Sequence, residues 1–257
     1  MGRTRQPHTG YVLKHLWTIG ELVSLKPYPA PKWLIKGWLP GGGWVLCFSK
    51  PKIGKSLLVA QMLHALAVGG PFFSRQPQPM PCVMIQGDTP MPLWQEELAQ
   101  AGLPADSPVH IFEARPGALS GGLDPIMAEL RPLRPCYVAF DAIDSLFVGL
   151  NINEVEPAKE VLRRLRHVAG GPAFLAIHHA RKGSPGEQED LRDAAAGSRV
   201  LMEQADQVVY LRGPEGPIEI TGRLTSAVYK SQHLRRTEGG LWAWSEPKRP
   251  SLASASP

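Results

Sequence analysis

The feature that most constrains this chain is the run Ser49-Lys50-Pro51-Lys52-Ile53-Gly54-Lys55-Ser56, set between two apolar segments. Before it, Trp44-Val45-Leu46-Cys47-Phe48 is short and uninterrupted, as a strand buried on both faces requires. After it, Ser56 to Val68 is almost wholly apolar and reads as a buried helix, stopped by Gly69-Gly70-Pro71. A strand, a tight loop and a helix N-terminus in that order gather backbone N–H groups around one point, where the helix end already favours negative charge. Pro51, Lys52, Ile53, Gly54, Lys55, Ser56 and Leu57 therefore read as a cradle for the phosphates of ATP. Lys55 is expected to reach the β- and γ-phosphates, Ser56 to ligate Mg²⁺, and Gly54 to let the backbone approach closely. The Lys55 side chain is expected to stand exposed in the loop. Against this stands the plainer reading of a lysine-rich turn, which the strand–loop–helix context disfavours. Ser49 occupies the place of the first glycine in GxxxxGK[ST], and a positive φ there would cost on the order of 1 kcal/mol.

Strand-like and helix-like runs alternate beyond this loop. Cys82 to Ile85, Val109 to Phe112, Cys136 to Phe140 and Ala173 to Ile177 read as strands, and Pro92 to Ala101, Leu123 to Leu130 and Val155 to Val168 as helices. Such alternation predicts an α/β fold, a mostly parallel twisted sheet flanked by helices. From about Gln207 the runs shorten, and Val208 to Leu211, Ile218 to Ile220, Ala227 to Tyr229 and Leu241 to Trp244 read as antiparallel strands added at the C-terminal edge. Residues 1–40 form an N-terminal arm rich in Pro, Lys and Trp, with one helical pattern around Leu16 to Leu25. Residues 41–246 form the main domain, and 247–257 a flexible tail.

Carboxylates follow two of the strands. Tyr137-Val138-Ala139-Phe140 delivers Asp141 at its C-terminal end, where ligands of parallel sheets sit, and Asp141 is expected to hold the Mg²⁺ shell. Asp144 competes for that role, and a helix cap is the plainer alternative for either residue. Gln86-Gly87-Asp88-Thr89-Pro90 ends another strand, and Asp88 there could polarise the attacking water. His178 and His179 end the strand after Ala173; without a Cys or Asp set at metal spacing, a γ-phosphate sensor is favoured over zinc ligation.

Composition excludes little else. A net charge of +5 and a pI near 9.2 suit an anionic partner without specifying one. Cys47, Cys82 and Cys136 have no paired spacing and read as buried thiols of a cytoplasmic protein. No signal peptide or membrane-spanning run is visible.

Lys52 to Ser56, Phe140-Asp141, Phe174 to Gly183 and Gly197-Ser198-Arg199-Val200-Leu201, with Trp33 to Pro40 upstream, resemble the RecA-like P-loop ATPases of the plasmid RepA hexameric replicative helicase type. The resemblance spans roughly residues 30–212. It implies a ring, a hexamer of self-associated subunits, with the nucleotide at the subunit interface. The activity implied is that of a helicase or translocase on single-stranded DNA, alongside other replication proteins. Lys55 and Ser56 would bind phosphate and Mg²⁺, Asp141 would be the metal acid, and His178 or His179 the sensor. Asp88 falls where the family has a catalytic glutamate and is one methylene shorter, so Ser49 and Asp88 both weigh against fast hydrolysis. Arg181, Lys182 and Arg199 would meet DNA phosphates, and Lys230, Arg235 and Arg236 are the candidates for a cation acting on the neighbouring subunit's nucleotide. A nucleotide-gated DNA-binding or loader protein with slow hydrolysis is the alternative. A small-molecule kinase would need a lid and an acceptor-binding acid pair that the sequence does not present.

Overall fold

A computed structural model describes residues 18–24, 32–73, 75–169, 173–179, 199–213, 217–222, 229–237 and 241–244 of the chain. The chain divides into two units, Met1–Ala30 and Pro31–Pro257. In the first unit α1 (Ile19–Ser24) opens on a capping box. The Thr18 hydroxyl accepts from the Glu21 N–H at 3.2 Å, and the Glu21 carboxylate accepts from the Thr18 N–H at 2.7 Å. Leu16 and the tail 247–257 lie outside the described residues.

Among the described residues the second unit is built on one nine-stranded sheet. It begins with a small hairpin, β1 (Trp33–Ile35) and β2 (Leu39–Pro40). This segment, expected in the N-terminal arm, instead buries Ile35, Trp38 and Leu39 in the main domain's core. Then follow β3 (Trp44–Ser49), α2 (Lys55–Val68), β4 (Cys82–Gln86), α3 (Met91–Gln100), β5 (His110–Glu113), α4 (Asp124–Leu133), β6 (Tyr137–Asp141), α5 (Ile143–Leu146), α6 (Val155–Ala169) and β7 (Phe174–His179). The chain closes with α7 (Arg199–Gln204), β8 (Gln207–Leu211), β9 (Pro217–Gly222), β10 (Tyr229–Arg236) and β11 (Trp242–Trp244).

The sheet order is β11-β10-β9-β8-β3-β7-β6-β4-β5. From β8 to β5 every neighbouring pair is parallel, and β9, β10 and β11 add antiparallel strands at the β8 edge. One expectation needs correcting here. β8 joins the parallel sheet, pairing with β3 from Val45↔Gln207 to Ser49↔Leu211, and only its other edge pairs antiparallel, with β9. Its residues are all buried, so no polar–apolar alternation marked it as belonging to the central sheet. Ala227 and Val228 lie outside the described residues; β10 begins at Tyr229.

The core lies in two layers, one on each face of the sheet, because successive strand residues point to opposite sides. Trp44, Leu46, Phe48, Val138, Phe140 and Phe174 belong to the layer under α4 and α6, with Trp44 stacked on Phe174 at 5.5 Å. Val45, Cys47, Ala139, Leu175 and Ile177 belong to the layer with α2, Trp94 and Trp242. The wholly apolar pattern of α2 follows from its place there. Cys47 and Cys82 are buried as expected, but Cys136 is exposed, because it precedes β6 rather than lying within it. Among the described residues no helix is long and apolar enough to cross a membrane.

Candidate active site

Parallel pairing brings the C-terminal ends of β3, β7, β6 and β4 side by side. Ser49 pairs with His179, and Gln86 with Asp141. Between these ends and the start of α2 lies a cleft of about 730 Å³, lined by Pro51, Lys52, Gly54, Lys55, Ser56, Leu57, Asp88 and His179 among others. Six of the seven residues assigned to the nucleotide from sequence thus share one cavity with Asp88 and His179, both assigned to catalysis. Ile53, partly buried, packs toward the α2 layer of the core instead.

The loop turns through two left-handed residues, Lys52 at φ 63° and Gly54 at φ 102°. Ser49 is not among the residues of positive φ; it is the last residue of β3 and fully buried. Its place in the glycine position therefore carries no backbone strain. Its hydroxyl donates to the Lys50 carbonyl at 2.8 Å and accepts from Lys55 Nζ at 3.2 Å. No side chain caps α2, so its first-turn N–H groups remain available to an anion.

Lys55 departs from the expectation of an exposed side chain: it is buried, at 4% exposure. Its Nζ donates to the carbonyls of Ser49 at 3.3 Å and Lys50 at 3.2 Å, and to Nδ1 of His179 at 3.3 Å. Burial lowers its pKa, and the nearby charges of Asp141, Asp88 and Asp144 oppose that fall.

Asp141, at the end of β6, is buried at 1% exposure. Burial pushes its carboxyl up to about 6, against the opposing pull of Ser56 and Gln86. Its Oδ2 accepts from the Gln86 side-chain amide at 2.8 Å, whereas its Oδ1 is buried with no hydrogen-bond partner among the described residues. An orphaned carboxylate oxygen beside the Ser56 hydroxyl is the donor set a hard divalent cation takes, so the residues fit Mg²⁺. Asp144 does not share that position. It turns toward β7, where its Oδ2 lies 2.8 Å from His178 Nδ1 and accepts from the His179 N–H at 3.1 Å.

Asp88 stands on the loop after β4. Its Oδ2 lies 3.2 Å from His179 Nε2, and its Oδ1 accepts from the Ser145 hydroxyl at 2.7 Å. The bond to His179, opposed by burial and helped by Ser145, keeps its carboxyl below the usual range. Lys55, His179 and Asp88 thus form one chain of contacts across the cleft.

Several contributors went unnoticed in sequence. The Gln86 Oε1 accepts from the N–H groups of Asp88 at 2.8 Å and Thr89 at 3.1 Å, while its amide holds Asp141. A polar residue closing an apolar strand was the available signal. Gly87 is required by close approach, since a Cβ there would meet Leu146 Cδ2 at 2.7 Å. By backbone, Arg199 opens α7, and Lys230, Arg235 and Arg236 lie along β10. Arg181 and Lys182 lie outside the described residues.

Residues 8–185 match the family model described as "AAA domain". Among solved structures, the KaiC-like protein PH0186 from the hyperthermophilic archaeon Pyrococcus horikoshii OT3 is similar over 83% of this chain and 94% of its own, at 16% identity and a TM-score of 0.55. Likeness at that identity concerns the fold, which is RecA-like. Among curated proteins none matches in sequence.

Proposed function

This chain belongs to the AAA domain family, and from that premise we propose that it is a ring-forming ATPase acting on single-stranded DNA, of the plasmid RepA hexameric helicase type. The coarser statement is plain: the chain is a P-loop ATPase of RecA-like fold. The observation that carries the reading of the site is the chain of contacts from Lys55 through His179 to Asp88 in the cleft.

In this reading the loop from Pro51 to Leu57 holds the β- and γ-phosphates by its N–H groups, and Lys55 turns its ammonium from the Ser49 and Lys50 carbonyls to the phosphate oxygens. Ser56 and Asp141 would hold Mg²⁺, which when bound neutralises charge on the phosphate oxygens. Asp88, ionised at neutral pH, orients the attacking water and takes its proton as the new bond to phosphorus forms and ADP leaves. His179, in contact with both Lys55 and Asp88, is placed to sense whether the γ-phosphate is present.

Support for a DNA partner is coarser. It consists of the resemblance, the net charge of +5 and the three cations of β10. A ring would put β10, at the antiparallel edge, within reach of a neighbour, and the N-terminal arm with α1 would pack on an adjacent subunit. The loader reading draws on a specific observation: both oxygens of Asp88 already accept a hydrogen bond, which weakens it as a base. Measuring ATP turnover with and without single-stranded DNA, together with native mass, tests the proposal. DNA-stimulated turnover by an oligomer supports the motor. A monomer with slow, DNA-independent turnover supports the loader, and absence of ATP binding overturns both.

A further inference from the structure

The short helix α5 (Ile143–Leu146) touches both halves of the Asp88–His179 pair, and the reading above gives it no part. Asp144 Oδ2 holds the end of β7 through His178 Nδ1 at 2.8 Å and the His179 N–H at 3.1 Å. The next residue, Ser145, donates its hydroxyl to Asp88 Oδ1 at 2.7 Å. We infer that Asp144 and Ser145 are positioning residues, adjacent jaws of a clamp on one helical turn that sets the separation of Asp88 from His179. The inference rests on the ATPase reading of the same site.

Proton inventory shows what the clamp fixes. The Lys55 ammonium has only donors, so His179 Nδ1 accepts from it. His179 therefore carries its proton on Nε2 and donates it to Asp88 Oδ2. His178 Nδ1 lies against a carboxylate oxygen and carries a proton as well. One carboxylate oxygen thus meets the His178 Nδ1 proton and anchors the backbone from which His179 reaches Asp88. Burial pushes the Asp144 carboxyl up, but the bonds to His178 and His179 outweigh it and hold the group below the usual range.

A clamp must itself be fixed, and α5 is. Ile143 and Leu146 are buried in the core. The Ser145 carbonyl accepts from the Gly117 N–H at 2.7 Å, and the Leu146 carbonyl from the Leu119 N–H at 3.0 Å. Leu146 also abuts Gly87, one residue before Asp88, so the loop carrying the carboxylate rests on the same turn. Both jaws therefore share one rigid base, and removing either lets one partner drift. A drift of about 1 Å can cost on the order of 10²-fold in rate without weakening substrate binding.

The test uses the full chain carrying Asp144→Ala, Ser145→Ala or Ser145→Thr, with ATP affinity, turnover and imidazole ¹⁵N spectra measured for each. Both alanine variants are expected to bind MgATP within ~3-fold of wild type while kcat falls ~10- to 100-fold, and Ser145→Thr to recover most of the loss. In Asp144→Ala, the His178 Nδ1 resonance is expected to shift, because its carboxylate partner is lost. Turnover within ~2-fold of wild type in both alanine variants overturns the clamp, as does an unchanged His178 spectrum in Asp144→Ala. If the wild-type chain binds or hydrolyses no ATP, the ATPase reading fails, and the spectra alone decide whether Asp144 holds the histidines.

Discussion

The indole N–H of Trp242 donates to the Gly54 carbonyl at 3.0 Å, joining β11 to the glycine from which the phosphate loop turns into α2. The same carbonyl accepts the Leu58 N–H at 3.0 Å, the first bond of that helix. Gln61, a turn further on, brackets the Trp242 backbone, donating to its carbonyl and accepting from its N–H, each at 3.0 Å. Since β11 pairs with β10 at Arg236↔Trp242 and Arg235↔Ala243, the cation-bearing strand β10 is linked to the loop through β11.

Trp242→Phe should keep most of the packing and lose the indole bond, costing about 1–3 kcal/mol in urea unfolding. ATP affinity should weaken several-fold with it, because the Gly54 carbonyl then loses one of the two donors, Trp242 and Leu58, that hold it. Unaltered affinity in a destabilised Trp242→Phe would mean that the strand props the fold without reaching the loop.

Asp141→Asn should abolish Mg²⁺-dependent nucleotide binding and yet stabilise the chain in chelator at neutral pH. The folded carboxyl titrates at about 6, above its ordinary 3.8, so it contributes stability in full only below about 3.8 and loses it as pH rises through 6. Above that range the buried charge costs about 3 kcal/mol, which asparagine removes. The melting-temperature gain of Asp141→Asn should therefore be largest at pH 8 and shrink toward pH 5. A gain independent of pH would show that the charge is not the cause.

Asp88→Asn should bind ATP and hydrolyse it poorly, because the amide cannot take the water's proton. Asp88→Glu should preserve or raise the rate, provided the longer side chain keeps its bonds to Ser145 and His179. Wild-type turnover by Asp88→Asn in a single-turnover assay would move water activation to another group.

Lys55→Met should lower ATP affinity on the order of 10²-fold by removing a charge-assisted contact. The ammonium is buried among carbonyls, so its loss should register in unfolding experiments, unlike that of an exposed lysine. A folded Lys55→Met with unchanged affinity would refute the phosphate-loop assignment.

Deleting residues 1–25 should leave ATP binding at Lys55 and Ser56 intact, yield monomers and collapse DNA-stimulated turnover. Sedimentation of the truncated chain as the full-length oligomer would exclude the arm as the joining element.

The local run from Trp44 to Val68, the alternation of strand and helix, and the strand-end positions of Asp88, Asp141, His178 and His179 were all legible in the sequence. Each depends on neighbours along the chain: apolar continuity, turn glycines, and a loop whose amides converge by backbone geometry alone. Pairing across the sheet was not legible, because β8 carries the same short apolar signature whether it runs parallel to β3 or against it. The bonds that tune the site lay equally out of reach. Asp144 meets His178, Ser145 meets Asp88, and Trp242 meets Gly54 across 34, 57 and 188 residues of chain respectively. Lys55 is buried rather than exposed for the same reason, since the carbonyls of Ser49 and Lys50 and the ring of His179 close over it only when β3 and β7 lie side by side. Sequence periodicity records which face of an element seeks the core, whereas the partner of a polar group depends on distances that only the folded sheet sets.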